Sequence, residues 1–334
     1  MDKGTVTVAH HMGMDVRLHD SVDDFRSVAV EVYERDPVAA TVELTVLRRG
    51  LPDSDPAPLL LTVWDGGALV GAALQTPPFP LLCSGLPESA IDDVVAELAR
   101  SRPGLNGVRG PRGIATRFAA TWCKVTGALS SVSLQERLYR LEALRPPMTV
   151  EGEPRAADHD DTGTLVDWLD RFYFEAFGGA PQPATTAQSI QAAKEAGDEL
   201  LLWVLDGDPV SMAGVRSPAA GVSRIGPVYT RIDKRGNGFG SPVTAAAAAW
   251  AREARADEVV LFADVANPVS NAIYHRIGFL PIGQRFSTYR FHRTDVASGE
   301  APGSTEVSVP PGAEKNAANI GNEALRETNW PPAL

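Results

Sequence analysis

The stretch IGPVYTRIDKRGNGFGSPVTAAAAAWAREARADEVVLFADVANPVSNAIYHRIGF, from Ile225 to Phe279, decides how this chain is read. It predicts a strand ending at Thr230, a Gly-rich turn, a long Ala-rich helix, a second strand through Asp264, an Asn-Pro break, a short helix and Gly278-Phe279. Pro227 donates no ladder hydrogen bond and so marks an edge or a bulge in the first strand. Asn267, held extended by Pro268, ends the second. A strand that opens directly into a helix leaves the first-turn N–H groups facing whatever lies in front of them. Gly236, Gly238 and Gly240 keep side chains out of that space, so an anion can approach the backbone. The helix dipole adds roughly 0.3–1 kcal/mol per nearby anion, and Arg235 adds a cation. An ordinary surface loop before a helix has the same look. A dinucleotide fingerprint does not fit, because its third glycine falls at Ser241 and five residues, Arg231 to Arg235, separate Thr230 from Gly236.

Two spaced motifs in this stretch resemble the GNAT superfamily of acyl-CoA N-acyltransferases. Arg235, Gly238 and Gly240 match its R-x-x-G-x-G/A loop, and Asn267, Ser270, Tyr274, Gly278 and Phe279 are similar to its N-x-x-A/S-x-x-x-Y-x-x-x-G-F segment. The resemblance implies that Arg235, Gly236, Asn237, Gly238, Phe239, Gly240 and Ser241 hold the pyrophosphate of coenzyme A. It also implies that the sheet splays beside the first strand, that the backbone of Val228, Tyr229 and Thr230 pairs with the pantetheine, and that an N–H near Val228 polarises the thioester carbonyl. Asn267 would bind the pantetheine arm or the loop carrying it, and Tyr274 would protonate the departing thiolate. On the residues alone, Tyr274 reads equally as a packing ring with its hydroxyl at a rim. Asp264, on one strand face with Phe262, is either a satisfied strand-end carboxylate or part of the acceptor site. Relatives often carry a Glu base on the strand before the loop; here that strand has none, which leaves Asp264, Glu175 or a water chain. The loop departs from the family pattern in its charged Arg231-Ile232-Asp233-Lys234 segment. The implied activity is direct transfer of acetyl from acetyl-CoA, the cosubstrate, to a primary amine on a small molecule or peptide, with no metal. A non-catalytic acyl-CoA-binding sensor or regulatory module is the alternative.

Outward from this stretch the chain repeats itself. LLLTVWDGGALVGAAL from Leu59 lines up with LLLWVLDGDPVSMAGV from Leu200, each two apolar strands about an Asp-Gly turn, which sets Asp65 against Asp206. QERLYRLE from Gln135 echoes QRFSTYRF from Gln284, each a closing strand with a Tyr-Arg pair. The economical organisation is two tandem GNAT-like domains of α/β (α+β) class, each a mixed, mostly antiparallel twisted sheet flanked by helices. The boundaries are a flexible segment 1–14, a degenerate copy over 15–146, a catalytic copy over 147–293, and a disordered tail over 294–334, whose composition cannot support a core. In the first copy the equivalent turn is Ser84-Gly85-Leu86-Pro87-Glu88, with one glycine, no basic residue and an acid placed against phosphate. That copy is expected to bind no coenzyme and to wall the acceptor cleft, and Gly85 is expected to tolerate an acidic replacement that Gly238 does not.

The composition, with 334 residues, 44% hydrophobic and 22% charged, is that of a soluble globular protein of more than one domain. A net charge of −11 argues against nucleic acid and favours cationic amines. Cys83 and Cys123 match no metal spacing and fit a reducing compartment, so the cytoplasm is expected, with no membrane partner and a monomer or homodimer as the working unit. The aromatics Phe172, Tyr173, Phe174 and Phe177, with Glu175 among them, are candidates for the acceptor lip, although a helical aromatic cluster is more often core.

Overall fold

The computed structural model describes residues 13–51, 56–147, 150–177 and 183–292; the expectations for the tail and for most of the N-terminal segment lie outside them. Strands β1 (Asp15–Leu18), β2 (Leu59–Asp65), β3 (Ala68–Gln75), β4 (Leu81–Leu82), β5 (Gly107–Pro111) and β6 (Leu129–Leu141) belong to the first half of the chain. The second half supplies β7 (Glu153–Ala156), β8 (Glu199–Leu205), β9 (Asp208–Val215), β10 (Val222–Thr230), β11 (Glu258–Asp264) and β12 (Phe279–His292). All twelve form one sheet, in the order β1-β2-β3-β4-β5-β12-β6-β11-β10-β9-β8-β7. Its pairs are antiparallel except β4 with β5 and β10 with β11.

The centre of that order crosses between the halves. β12 lies between β5 and β6, and β6 lies between β12 and β11, so the closing strand of each half sits in the sheet of the other. Tyr139 and Tyr289, the two echoed tyrosines, take equivalent places: Tyr139 opposite Leu261 on β11, Tyr289 opposite Val108 on β5.

The two hairpins show the same duplication with a one-residue adjustment. Both have two-residue turns with φ positive at each position: 54° and 88° at Gly66-Gly67, 51° and 82° at Asp206-Gly207. This is the twist that suits a tight hairpin. Each carries a bulge two residues upstream, between Val63 and Trp64 and between Trp203 and Val204. The turn therefore matches Gly66, not Asp65, with Asp206. Asp65 is the last strand residue, since only the pair after it takes the left-handed backbone.

Helices cover both faces. On one lie α1 (Val22–Tyr33), α2 (Thr41–Arg49), α5 (Thr162–Phe177) and α6 (Pro183–Glu195). They close over inward residues such as Leu60, Leu74, Leu202, Met212 and Tyr229. On the other lie α3 (Ile91–Ser101), α4 (Arg112–Thr126), α7 (Gly240–Glu253) and α8 (Pro268–Arg276). These pack on Leu61, Val63, Ala213, Ile225 and Leu261, the alternate residues of the same strands. The Ala245 to Ala251 stretch suits this place. Its small side chains let α7 lie close on the sheet, and Ala247, Ala248 and Ala251 are fully buried.

The α2 end reaches across the junction. Arg48 and Arg49 both hold Asp198, a carboxylate only 1% exposed at the start of β8. Among the described residues no helix is long and apolar enough to cross a membrane.

Candidate functional site

β10 and β11 pair in parallel only over Val222–Ile225 and Glu258–Leu261. Beyond Ile225 a bulge carries β10 away, and Val228, Tyr229 and Thr230 pair with β9 alone. β11 continues to Asp264 against β6 on its other side. A wedge opens between the strands. Arg231 N–H donates to Val210 O on β9, so the alternation of an extended chain turns the N–H and C=O of Val228 and Thr230 towards the wedge. The Thr230 carbonyl accepts from Arg235 Nε at 3.0 Å.

After a short 3-10 turn, Ile232–Lys234, the chain passes through Arg235 to Ser241 and enters α7. Gly236 and Gly238 take φ of 84° and 82°, and nothing lies within 4 Å of the side-chain position of either. Among the described residues, the N–H groups of residues 236–240 have no protein acceptor. α7 carries no side-chain cap and no acid in its first turn. Open space, unpaired donors and a helix start are what a pyrophosphate requires, so these residues fit coenzyme A. Asn237 is spent on the loop itself, its Nδ2 donating to Lys234 O and Arg235 O. Phe239 and Ser241 are buried and anchor the turn.

Gly240 joins the parts. A Cβ there would lie 3.7 Å from Thr230 Oγ1 and 3.8 Å from Ile273 Cδ1, so the strand end, the turn and α8 meet at one point. Next to Ile273 is Tyr274, 8% exposed, its ring packed on Tyr139 at 6.2 Å and Phe279 at 6.3 Å. Burial pushes its hydroxyl up to about 12. Asn267 caps α8, its Oδ1 accepting from Ser270 N–H at 3.1 Å. Asp264 is exposed on the α1/α2 face and accepts from Ala266 N–H. Directly across from it on β6 is Glu136, a residue of the first half that holds Arg109 at 2.8 Å. Arg235 does not point into open solvent. Its guanidinium lies over the Tyr229 ring and donates to both oxygens of Glu175, at 2.9 and 2.8 Å.

The matching place in the first half is filled. A Cβ on Gly110 would lie 2.5 Å from Cys83 Sγ, and one on Gly85 would lie 2.7 Å from both Tyr33 Cε1 and Ala72 O. Asp92 and Asp93 stand in the first turn of α3, and Asp93 accepts from Met14 N–H at 2.9 Å. Gly85 is thus not a tolerant position: its lack of a side chain lets Tyr33 lie against the turn. Burial raises the Cys83 thiol and the Tyr33 hydroxyl, and Glu43, also buried, is raised as well.

Sequence reasoning did not single out Arg109, Glu136, Asp198, Arg216 and Arg224. They are ordinary charged residues in strands or next to strand ends, and it is tertiary pairing that brings them to their partners, Asp198 to Arg48 and Arg49 of the first half and Arg109 to Glu136. Among the described residues no three His, Cys, Asp or Glu side chains are grouped as a metal would need.

Residues 163–279 match the family model described as the Acetyltransferase (GNAT) family. A search of curated proteins finds no match for the sequence. Among solved structures, the fold is similar to that of an acetyltransferase from the GNAT family of Colwellia psychrerythraea, at 11% identity and a TM-score of 0.56, covering 83% of this chain and 98% of that one. It is also similar to a tandem GNAT protein from the clavulanic acid biosynthesis pathway, at 14% identity and a TM-score of 0.55, covering 83% and 98%. With the parted strands and the Gly-rich helix start in its second half, and a filled counterpart in its first, the chain carries the GNAT family match over residues 163–279 and shares its overall fold with a tandem GNAT protein.

Proposed function

We propose that the protein is an N-acetyltransferase that moves an acetyl group from acetyl-CoA to a primary amine by direct attack. The observation that carries this is the opening of β10 from β11 after Ile225, followed through one 3-10 turn by a glycine turn whose N–H groups have no acceptor among the described residues. Residues 147–293 would hold the coenzyme, with residues 15–146 as the silent copy that walls the acceptor side. Acetyl-CoA, when bound, supplies the thioester whose C–S bond breaks as the C–N bond to the amine forms. The turn from Arg235 to Ser241 binds the pyrophosphate, and the wedge-facing backbone of Val228 to Thr230 aligns the pantetheine, with Asn267 at its side. Val228 N–H meets the carbonyl oxygen as negative charge develops there. Tyr274, a buried phenol that is protonated at neutral pH, gives its proton to the sulfur. Asp264, at the end of β11 on the flank of the wedge, takes the proton of the amine, directly or through water. Two unpaired cysteines suit a reducing compartment, and the cytoplasm is where we place the reaction.

An acyl-CoA sensor is the second reading. It is favoured by the engagement of both candidate bases, Glu175 with Arg235 and Asp264 with Ala266 N–H. Thiol release from acetyl-CoA against a panel of amines, with coenzyme binding followed by calorimetry, separates the two. Release with any amine class supports the transferase; binding without release for every class overturns it in favour of the sensor.

A further inference from the structure

The second half holds a buried cation whose charge is incompletely met. Arg216 follows β9, and its backbone is fixed to β10: its N–H donates to Arg224 O and its carbonyl accepts from Ser223 Oγ. Its side chain is 4% exposed, and the acid it approaches is Asp198, at 3.7 Å. Asp198 has nothing left to accept with. Its Oδ1 takes Arg48 Nη2 at 2.5 Å and Ser217 N–H at 2.8 Å, and its Oδ2 takes Nε, at 2.8 Å, and Nη2 of Arg49. Two donors on each oxygen fill the lone pairs of a carboxylate. Arg216 stays outside that set, and its guanidinium makes no hydrogen bond among the described residues. A buried charge in this condition is costly. Burial, with Arg49 and Arg224 close by, holds its pKa well below the ordinary arginine value.

Of the three guanidinium nitrogens only Nε is sealed. Nη1 and Nη2 reach open space, and Arg216 lines a cavity of ≈ 170 Å³ between α5, α6 and the strands beneath them. Leu165 and Leu169 of α5, Ile190 and Ala193 of α6 and Leu200 of β8 give that cavity apolar walls. The lining residues His159, Gln191 and Lys194 are exposed and mark its mouth. Lys194 Nζ spends one N–H on Ala157 O at 3.2 Å and keeps two. The acids of the rim are engaged with their own chain, Asp158 with Asp160 N–H and Glu199 with Leu200 N–H. An entering molecule meets one cation at the mouth and a second, Arg216, past apolar side chains.

We propose that this cavity binds a small monocarboxylate, its carboxylate on Arg216 and its carbon chain between α5 and α6. The two Nη groups of a guanidinium present parallel N–H bonds that both oxygens of a carboxylate accept. A phosphate would leave its remaining oxygens against apolar walls without donors, which counts against it. An apolar cavity of about 150 Å³ holds a benzene molecule, so there is room here for a carboxylate on a chain of about four to six carbons. The site does not depend on acyl transfer. Pro227 is part of its wall, so its occupant adjoins the bulge of β10 at which the wedge begins.

The test uses the full chain and ligand-detected NMR titration of acetate, butanoate, pentanoate and hexanoate, each beside its primary amide. The wild type should bind pentanoate at least tenfold more tightly than pentanamide, and affinity should rise about three- to fourfold per CH₂ from acetate until the cavity is full. Arg216→Met should remove the preference for the acid. Ile190→Trp, at a half-buried wall position, fills the space and should remove binding while leaving Arg216 and Asp198 in place; circular dichroism and thermal melting establish that each variant is folded. Equal affinity for acid and amide in the wild type, or no binding of either, overturns the proposal without reliance on a variant. So does pentanoate binding retained in full by a folded Arg216→Met or Ile190→Trp protein, since the anion then sits elsewhere. Inorganic phosphate should displace pentanoate only weakly; displacement at a tenfold lower concentration than pentanoate itself would overturn the choice of a carboxylate. The readout is binding alone, so failure to transfer an acetyl group leaves this result untouched, and loss of the site leaves the transferase reading untouched.

Discussion

Replacing Gly238 by Glu tests the proposed coenzyme site most directly. At φ of 82° any residue with a Cβ costs about 1–2 kcal/mol in backbone strain. Nothing lies within 4 Å of the new Cβ, so no clash adds to that cost. Strain of this kind acts on the free and the bound loop alike and lowers stability more than affinity. Charge acts on affinity. A carboxylate about 6 Å from a phosphate is disfavoured by about 0.7 kcal/mol in bulk water and about 2.8 kcal/mol at an effective dielectric near 20. For two phosphates at an exposed turn the sum is about 1.5–3 kcal/mol, a loss of about 10- to 150-fold in coenzyme affinity. Gly238→Ala separates the terms, since it carries the strain without the charge. Calorimetric titration of coenzyme A at low and at physiological salt reads both, and the charged variant should recover part of its loss as salt rises. The first-half control cannot be Gly85, whose Cβ would strike Tyr33 and Ala72 and so report on folding. Ser89→Glu, exposed beside the α3 start, places the same charge there and should leave affinity unchanged. Affinity of Gly238→Glu within threefold of the wild type, or an equal loss in Ser89→Glu, would refute a single coenzyme site in the second half.

Tyr274→Phe keeps the ring against Tyr139 and Phe279 and removes the proton; kcat should fall by roughly 10²- to 10⁴-fold with the KM for acetyl-CoA unchanged. Because the wild-type hydroxyl titrates only at about 12, it is protonated at every lower pH, so the pH–rate profiles of the two proteins should share one shape up to about pH 11 and differ only in height. Asp198→Asn leaves Arg48, Arg49 and Arg216 without their buried counter-charge and should cost about 3 kcal/mol or more in urea unfolding; a loss under about 1 kcal/mol would show that the arginines find other partners. Glu175→Gln frees Arg235 from a pair whose side chains are both more than 40% exposed, so stability should move by less than about 1 kcal/mol and coenzyme affinity should hold or rise by up to severalfold. A tenfold fall in affinity would make Glu175 a binding residue.

The shape of the glycine turn was legible because its requirements are local. Gly236, Gly238, Pro227 and Asn267 each act through their own backbone, and a short window of sequence contains them all. The hairpins were legible for the same reason, and the one-residue slip at Asp65 arose where Asp-Gly was taken as the turn in both copies although Gly66-Gly67 forms it in the first. The fate of the closing strands was not legible. β6 and β12 have the pattern of any paired strand, and nothing in that pattern says whose sheet they join. The Glu136–Asp264 opposition follows from register between strands far apart in the chain, for which one sequence carries no signal. Gly85 appeared tolerant because its neighbour in space, Tyr33, lies half a domain away in the chain.

The exchange of closing strands fixes an order of events at synthesis. Leu129 to Leu141 pair with His292 to Phe279, so the longest ladder in the protein joins segments separated by well over a hundred residues. As the chain leaves the ribosome, β5 and β6 wait for β12 with their edges open, and non-local pairing of this kind is slow and prone to association with other chains. A fragment ending before Phe279 leaves that gap unfilled, whatever the quality of its own core. The same connectivity bears on descent. A duplicated chain can usually discard one of its copies, but here the first half lends β6 to the sheet that carries the glycine turn, and its loss would expose the flank of β11.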